Sequence, residues 1–167
     1  MNTPVRQPLP TSDGCFVCGE QNEAGLQTQF YVEDGRVKSR VQPRTHHCGY
    51  PGVIHGGIVA ALLDECMGWA AAHAIARMCL TGELTVRYLI NAPDDRELII
   101  ATEVLKANRR LVLARAELQD AEGTQYATAS GKFLPMSEEE TLRIDDALNY
   151  RGGEARLFDE LRNGGSI

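Results

Sequence analysis

The chain has 167 residues, 43% hydrophobic and 24% charged, with a formal net charge of −6. That balance fits one soluble globular domain with a sizeable core, and the lack of any basic stripe argues against nucleic-acid binding. The opening residues, Met1-Asn2-Thr3-Pro4-Val5-Arg6, hold no apolar run of the kind a secretory leader needs, and an odd set of five cysteines suits a reducing, cytoplasmic setting.

Residues 1–14 carry three prolines and read as an extended, loosely held lead-in. Cys15-Phe16-Val17-Cys18-Gly19 follows, a C-x-x-C leading into a turn. Leu26, Thr28, Phe30 and Val32 then alternate with polar residues, which is strand periodicity. Asp34-Gly35 is a hairpin signal, and Arg36 to Val41 alternates again before Pro43. A loop through His46, His47 and Cys48 delivers the chain to Tyr50-Pro51-Gly52-Val53-Ile54 and to a long helix from about His55 to Ala76. Four further strands are expected at 83–90, 97–105, 110–118 and 125–134. Short connections favour an antiparallel meander. The class is α+β, with a strongly curved antiparallel sheet wrapped around one long central helix. Ser137 and Glu140 have the spacing of a capping box. From Glu138 to Arg162 eight acidic residues face four basic ones, so 137–167 reads as an acidic helical tail, solvated or facing a partner.

The helix is the unusual element. Gly, Ala, Ile, Val, Leu, Met and Trp occupy nearly every face, so it should be buried on most sides. Asp64, Glu65 and His73 interrupt it too often for a membrane span. Two carboxylates in such a helix are costly unless paired or put to use. Glu65 lies about 100° further round the helix than Asp64, so the two are expected to avoid a common pocket.

His55-Gly56-Gly57 followed by Asp64 resembles the hotdog-fold thioesterases, particularly the group that includes the phenylacetic-acid-pathway thioesterase. The loop Gly49-Tyr50-Pro51-Gly52-Val53-Ile54 and the stretch Thr81-Gly82-Glu83-Leu84-Thr85-Val86-Arg87-Tyr88 match as well. The similarity covers roughly 15–136, leaving the lead-in and the tail outside.

Independent chemistry suits those positions. N–H groups at the start of a helix lack intrahelical partners, and glycines let a carbonyl approach closely. The helix dipole adds positive potential there. A carboxylate two turns deeper can attack a thioester or activate water. By resemblance, Gly56 carries the oxyanion N–H, Asp64 is the catalytic carboxylate, and His55 positions or polarises; Gly57 is counted with them in the catalytic set. Thr81 matches a water-orienting position, expected to serve the neighbouring subunit's site. Glu65 is the reserve carboxylate, otherwise an interface or structural group. Gly49 stands where some relatives carry Asn or Gln. Gly49, Tyr50, Met67 and Gly82 are assigned to substrate binding. Arg109 and Arg110 are assigned to coenzyme A phosphates, with a solvated turn as the plain alternative.

The implied protein is an acyl-CoA thioesterase for a small, medium or aromatic acyl group. It would need no cofactor, nucleic acid or membrane, and would form a homodimer or a dimer of dimers. The alternatives are a non-catalytic acyl-CoA sensor and a hydratase-type CoA-ester enzyme. Cys15 and Cys18 form half of a zinc site. Because His46, His47 and Cys48 lack the paired spacing of a second half, no metal is assigned and reduced thiols are expected.

Overall fold

The computed structural model describes residues 5–165. A short strand β1 (Gln7–Pro8) precedes the hairpin β2 (Phe30–Glu33) and β3 (Arg36–Val41). A 3-10 turn at Thr45–His47 leads into the small ribbon β4 (Cys48–Tyr50) and β5 (Val53–Ile54), and then into α1 (Gly56–Ile75). β6 (Cys79–Tyr88), β7 (Leu98–Asn108), β8 (Leu111–Gln119) and β9 (Gln125–Pro135) follow, with α2 (Glu138–Asp145) and α3 (Asp159–Arg162) at the end. The main sheet is antiparallel, in the order β1-β2-β3-β7-β8-β9-β6. The predicted hairpin forms, with Asp34 and Gly35 at φ of 52° and 72°, the left-handed pair that a tight two-residue turn requires.

α1 lies against β3, β6, β7, β8 and β9. Val59, Leu62, Leu63, Cys66, Met67 and Ala70 recur at helical spacing and are buried against the sheet. By length and composition α1 could cross a membrane, but the enclosing sheet already covers its apolar face. The other face is small, with Gly57 exposed and Ala60, Ala61, Asp64 and Gly68 half-exposed.

Three expectations change. The four strands after α1 do not form one meander: β7, β8 and β9 do, whereas β6 crosses to pair with β9 at the outer edge. Residues 89–97 make that crossover, tied to β5 through Val53 and Pro93. Among the described residues β6 therefore keeps one edge unpaired, with Leu80 and Tyr88 exposed on it.

Nor is the lead-in loose. β1 pairs with β2, and Leu9 and Thr11 are buried. The tail is no solvated arm either. α2 is capped as predicted, Ser137 accepting from Glu140 N–H, but it stops at Asp145 rather than near Leu148. Ala155, Phe158 and Leu161 are buried, Asn149 N–H donates to Thr11 O, and Ala155 N–H donates to Pro8 O. Lead-in and tail fold over the same side of the sheet-and-helix unit, because each buries apolar side chains that a free arm would expose.

Candidate active site

At the start of α1, His55 is the N-cap with extended backbone (φ −59°, ψ 133°), and its Nδ1 accepts from Gly57 N–H at 2.9 Å. A neutral ring that accepts at Nδ1 carries its proton on Nε2, which leaves a donor available. A Cβ at Gly57 would lie 3.1 Å from His55 Nδ1, so glycine there is what lets the ring close on the backbone. Gly57 N–H is thus occupied by the imidazole. Gly56 N–H makes no hydrogen bond among the described residues. Tyr88 Oη donates to Gly56 O at 2.8 Å, tying β6 to the first turn.

His55, Gly56, Gly49, Tyr50 and Tyr88 line a cavity of about 450 Å³. Gly49 packs beside the imidazole, where a Cβ would lie 3.2 Å from His55 Cδ2. Tyr88 lines this candidate site, a position that closes the matched stretch from Thr81 but was given no role from the sequence. Nothing in its local pattern marks it; the contact arises from β6 running alongside α1.

Asp64 faces a second, separate cavity of about 190 Å³, with Thr81, Glu65, Trp69, Cys15 and Cys18 on its walls. Thr81 Oγ1 donates to Asp64 Oδ1 at 2.9 Å. A bulge places Thr81: Thr81 pairs with Phe133 and Glu83 with Lys132, so Gly82 is the extra residue. Gly82 therefore shapes the strand, and its Cβ position is closed off by Leu134 at 3.2 Å. Burial pushes the Asp64 carboxyl above its ordinary range, while the Thr81 hydroxyl pulls it back.

Glu65 lines this same cavity, contrary to the expectation that the two carboxylates would stay apart. The N-terminal loop and the tail wrap far enough round α1 to close one space over more than 100° of its surface. Burial first, then the nearby Cys15 sulfur, pushes Glu65 up to about 7. Cys15 is drawn down to about 5, chiefly by the Cys18 thiol donating to it and then by backbone N–H groups.

Other assignments move. Thr81 serves the Asp64 of its own chain, not only a neighbour's. Met67 is fully buried between α1 and the sheet, so it packs the core instead of lining either cavity. Arg109 and Arg110 form the two-residue turn between β7 and β8, and Arg109 lies beside Ala74 and Ile75 at the far end of α1 from Gly56.

The thioesterase superfamily model matches residues 51–127, from the turn before α1 into β9. A Halobacterium salinarum protein provisionally named an esterase is 32% identical over 115 residues, covering 61% of this chain and 75% of its own. Acyl-coenzyme A thioesterase THEM4 of Mus musculus is 25% identical over 125 residues, covering 72% of this chain. Only 54% of the mouse protein is covered, so the chain spans about half that relative's length. A conserved Pseudomonas aeruginosa protein of solved structure is 30% identical with a TM-score of 0.56, covering 62% of this chain and 82% of that one. The chain belongs to the thioesterase superfamily and has its hotdog fold.

Proposed function

We propose that the protein hydrolyses acyl-CoA thioesters at a site that two copies complete together. The carrying observation is the division of the site: a free Gly56 N–H on one cavity and the Thr81–Asp64 pair on another. Along α1 the eight helical rises from Gly56 to Asp64 span about 12 Å. A carbonyl held on Gly56 N–H keeps its carbon within about 4 Å of that nitrogen. Direct attack needs an oxygen about 3–3.5 Å from the carbon, so the same chain's Asp64 is too far away.

A second copy removes the gap. Pairing β6 edge to edge with another β6 sets the two α1 helices antiparallel, side by side. A two-fold axis near Ala60, midway between Gly56 and Asp64, brings each Gly56 opposite the other copy's Asp64. The exposed Gly57 and half-exposed Ala60 and Ala61 permit that close approach. A dimer is the minimum unit, and a dimer of dimers is compatible with it.

In the resulting site the thioester oxygen accepts from Gly56 N–H, with the His55 ring alongside. Asp64 of the other copy takes a proton from water held by Thr81 and returns it to the leaving sulfur, or attacks directly to give a mixed anhydride that water then opens. Oxygen adds to the carbonyl carbon, the C–S bond breaks, and coenzyme A leaves as the thiol. Spacing from His55 to Asp64 supports placement with the phenylacetic-acid-pathway group, acting on small or medium acyl chains. The five cysteines, none in a disulfide, support a cytoplasmic setting.

Thiol release from phenylacetyl-, benzoyl-, butyryl- and octanoyl-CoA tests the reading. Turnover of at least one, lost in folded Asp64→Asn, is expected. An acyl-CoA that binds but is never cleaved would transfer the protein to the sensor class.

A further inference from the structure

Cys15, Cys18 and Glu65 have no part in the proposed chemistry, yet they form one compact group. Their ligand atoms all lie within 4.8 Å of one another, although the cysteines and the glutamate are some fifty positions apart. Among the described residues no other such cluster of His, Cys, Asp and Glu occurs. His46, His47 and Cys48, the sequence candidates for a second half-site, do not join it.

The backbone around the cysteines is built for this. Val17 N–H and Cys18 N–H both donate to Cys15 Sγ at 3.3 Å, wrapping the chain around the sulfur. Gly19 N–H closes the turn onto Cys15 O at 3.0 Å. A Cβ at Gly19 would fall 2.3 Å from Cys15 O and 2.5 Å from Asp13 O, so only glycine can follow Cys18 in this turn. A C-x-x-C-G loop with paired N–H···S bonds presents two sulfurs in one direction without side-chain help.

Charge points the same way. Glu65 is drawn into the cavity beside sulfur, and among the described residues no lysine or arginine pairs with it. Glu65 is half-buried and its donor is the Cys15 thiol, whereas the fully buried carboxylates have stronger donors: Glu33 has Arg6 and Lys38, Asp145 has Arg162, and Asp120 has Tyr126. A buried anionic group without a cation is costly.

We propose that Cys15, Cys18 and Glu65 bind a divalent, thiolate-preferring cation, zinc by chemistry, which staples the N-terminal loop to α1 beside Asp64. Zinc bonds of about 2.3 Å to sulfur and about 2.0–2.2 Å to oxygen, at tetrahedral angles, set sulfur and oxygen ligands about 3.5 Å apart. Cys15 Sγ and Glu65 Oε1 are 3.6 Å apart. Two sulfurs and one carboxylate leave a fourth position, and the cavity that all three residues line has room for a water molecule there. Sulfur ligands favour zinc over magnesium or calcium, which take oxygen. The inference is independent of the thioesterase reading, since it concerns metal content and not turnover.

The test is metal analysis of the full purified chain after exposure to zinc and dialysis, with cobalt(II) replacement as a spectroscopic readout. One zinc per chain is expected, and the cobalt form should show thiolate charge-transfer absorption. Cys15→Ser and Cys18→Ser should each lose both. Loss of an outer-shell partner alone weakens metal sites about 10–100-fold, so Glu65→Gln, which removes a ligand and keeps the shape, should weaken zinc at least that much in chelator competition. Cys48→Ser, whose thiol faces Asp94 elsewhere, should keep the full complement. If wild type retains no zinc, the inference is overturned. A Cys15–Cys18 disulfide in wild type would overturn it too, as would zinc that survives in folded Cys15→Ser.

Discussion

Gly56→Pro separates catalysis from folding more cleanly than removal of any side chain. Gly56 is the first residue of α1, where proline is favoured because its fixed φ suits the helix and its missing N–H has no intrahelical partner. Here that N–H makes no other bond, so the substitution breaks none. The preceding residue must be extended, and His55 at ψ 133° lies within the range that proline tolerates. A Cβ at position 56 lies 3.4 Å from the Tyr88 ring, an ordinary contact. Stability should therefore hold, or rise by about 0.4–1 kcal/mol through the stiffer unfolded chain. What disappears is the donor to the developing oxyanion. Loss of one such donor lowers kcat about 10²–10³-fold, or about 2.7–4 kcal/mol of barrier. The assay is thiol release from the best acyl-CoA, with thermal melting in parallel. Gly56→Ala, which keeps the N–H and adds similar bulk, should lose less. A folded Gly56→Pro protein with kcat within about threefold of wild type would refute Gly56 as the oxyanion donor.

Other consequences are equally concrete. Thr81→Val keeps shape and strand propensity but removes a hydrogen bond to a charged group, worth about 1.5–3 kcal/mol, so kcat/KM should fall about tenfold to 150-fold. Thr81→Ser should restore it, and wild-type turnover in the valine variant would detach Thr81 from the chemistry. Phe158→Ala should cost about 3–5 kcal/mol, a melting-temperature drop on the order of 10 °C, if the tail is part of the core. An unchanged melting temperature would return the tail to a solvated role. Glu33, bonded by Arg6 and Lys38 at 2.7 and 2.6 Å, is held below the ordinary carboxylate range. Its contribution is full above the unfolded pKa of about 4.3 and fades as pH falls through the lower folded value. Glu33→Gln should be less stable than wild type at neutral pH, and urea melts should show that gap closing in acid. A gap independent of pH would contradict the pairing.

What was legible in the sequence was local. The Asp34-Gly35 turn, the Ser137–Glu140 box and the span of α1 each depend on residues a few positions apart, and each forms. Pairings set at long range were not legible. Nothing in Thr81 to Tyr88 says that this strand leaves its sequence neighbour β7 for β9, and with that crossover goes the Tyr88 contact to Gly56. Separation of Asp64 from Glu65 by helix angle assumed a bare helix, whereas the N-terminal loop and Ile144 and Leu148 of the tail enclose both. The tail's charge obscured a usable signal: Ala155, Phe158 and Leu161 recur every third residue, and that stripe is the buried one. Two of the cluster's three members were visible as C-x-x-C, but the third is a glutamate on α1 that only the fold brings near.

Subunit complementation tests the shared site most directly. Gly56→Pro and Asp64→Asn should each be nearly inactive alone. In a mixed dimer, isolated by a different tag on each copy, one site contains both substitutions and the other neither. The composite arrangement predicts about half of wild-type thioesterase activity per mixed dimer, since one of two symmetry-related sites is intact. A mixed dimer as inactive as its two parents would contradict it, placing Gly56 and Asp64 in the service of the same subunit.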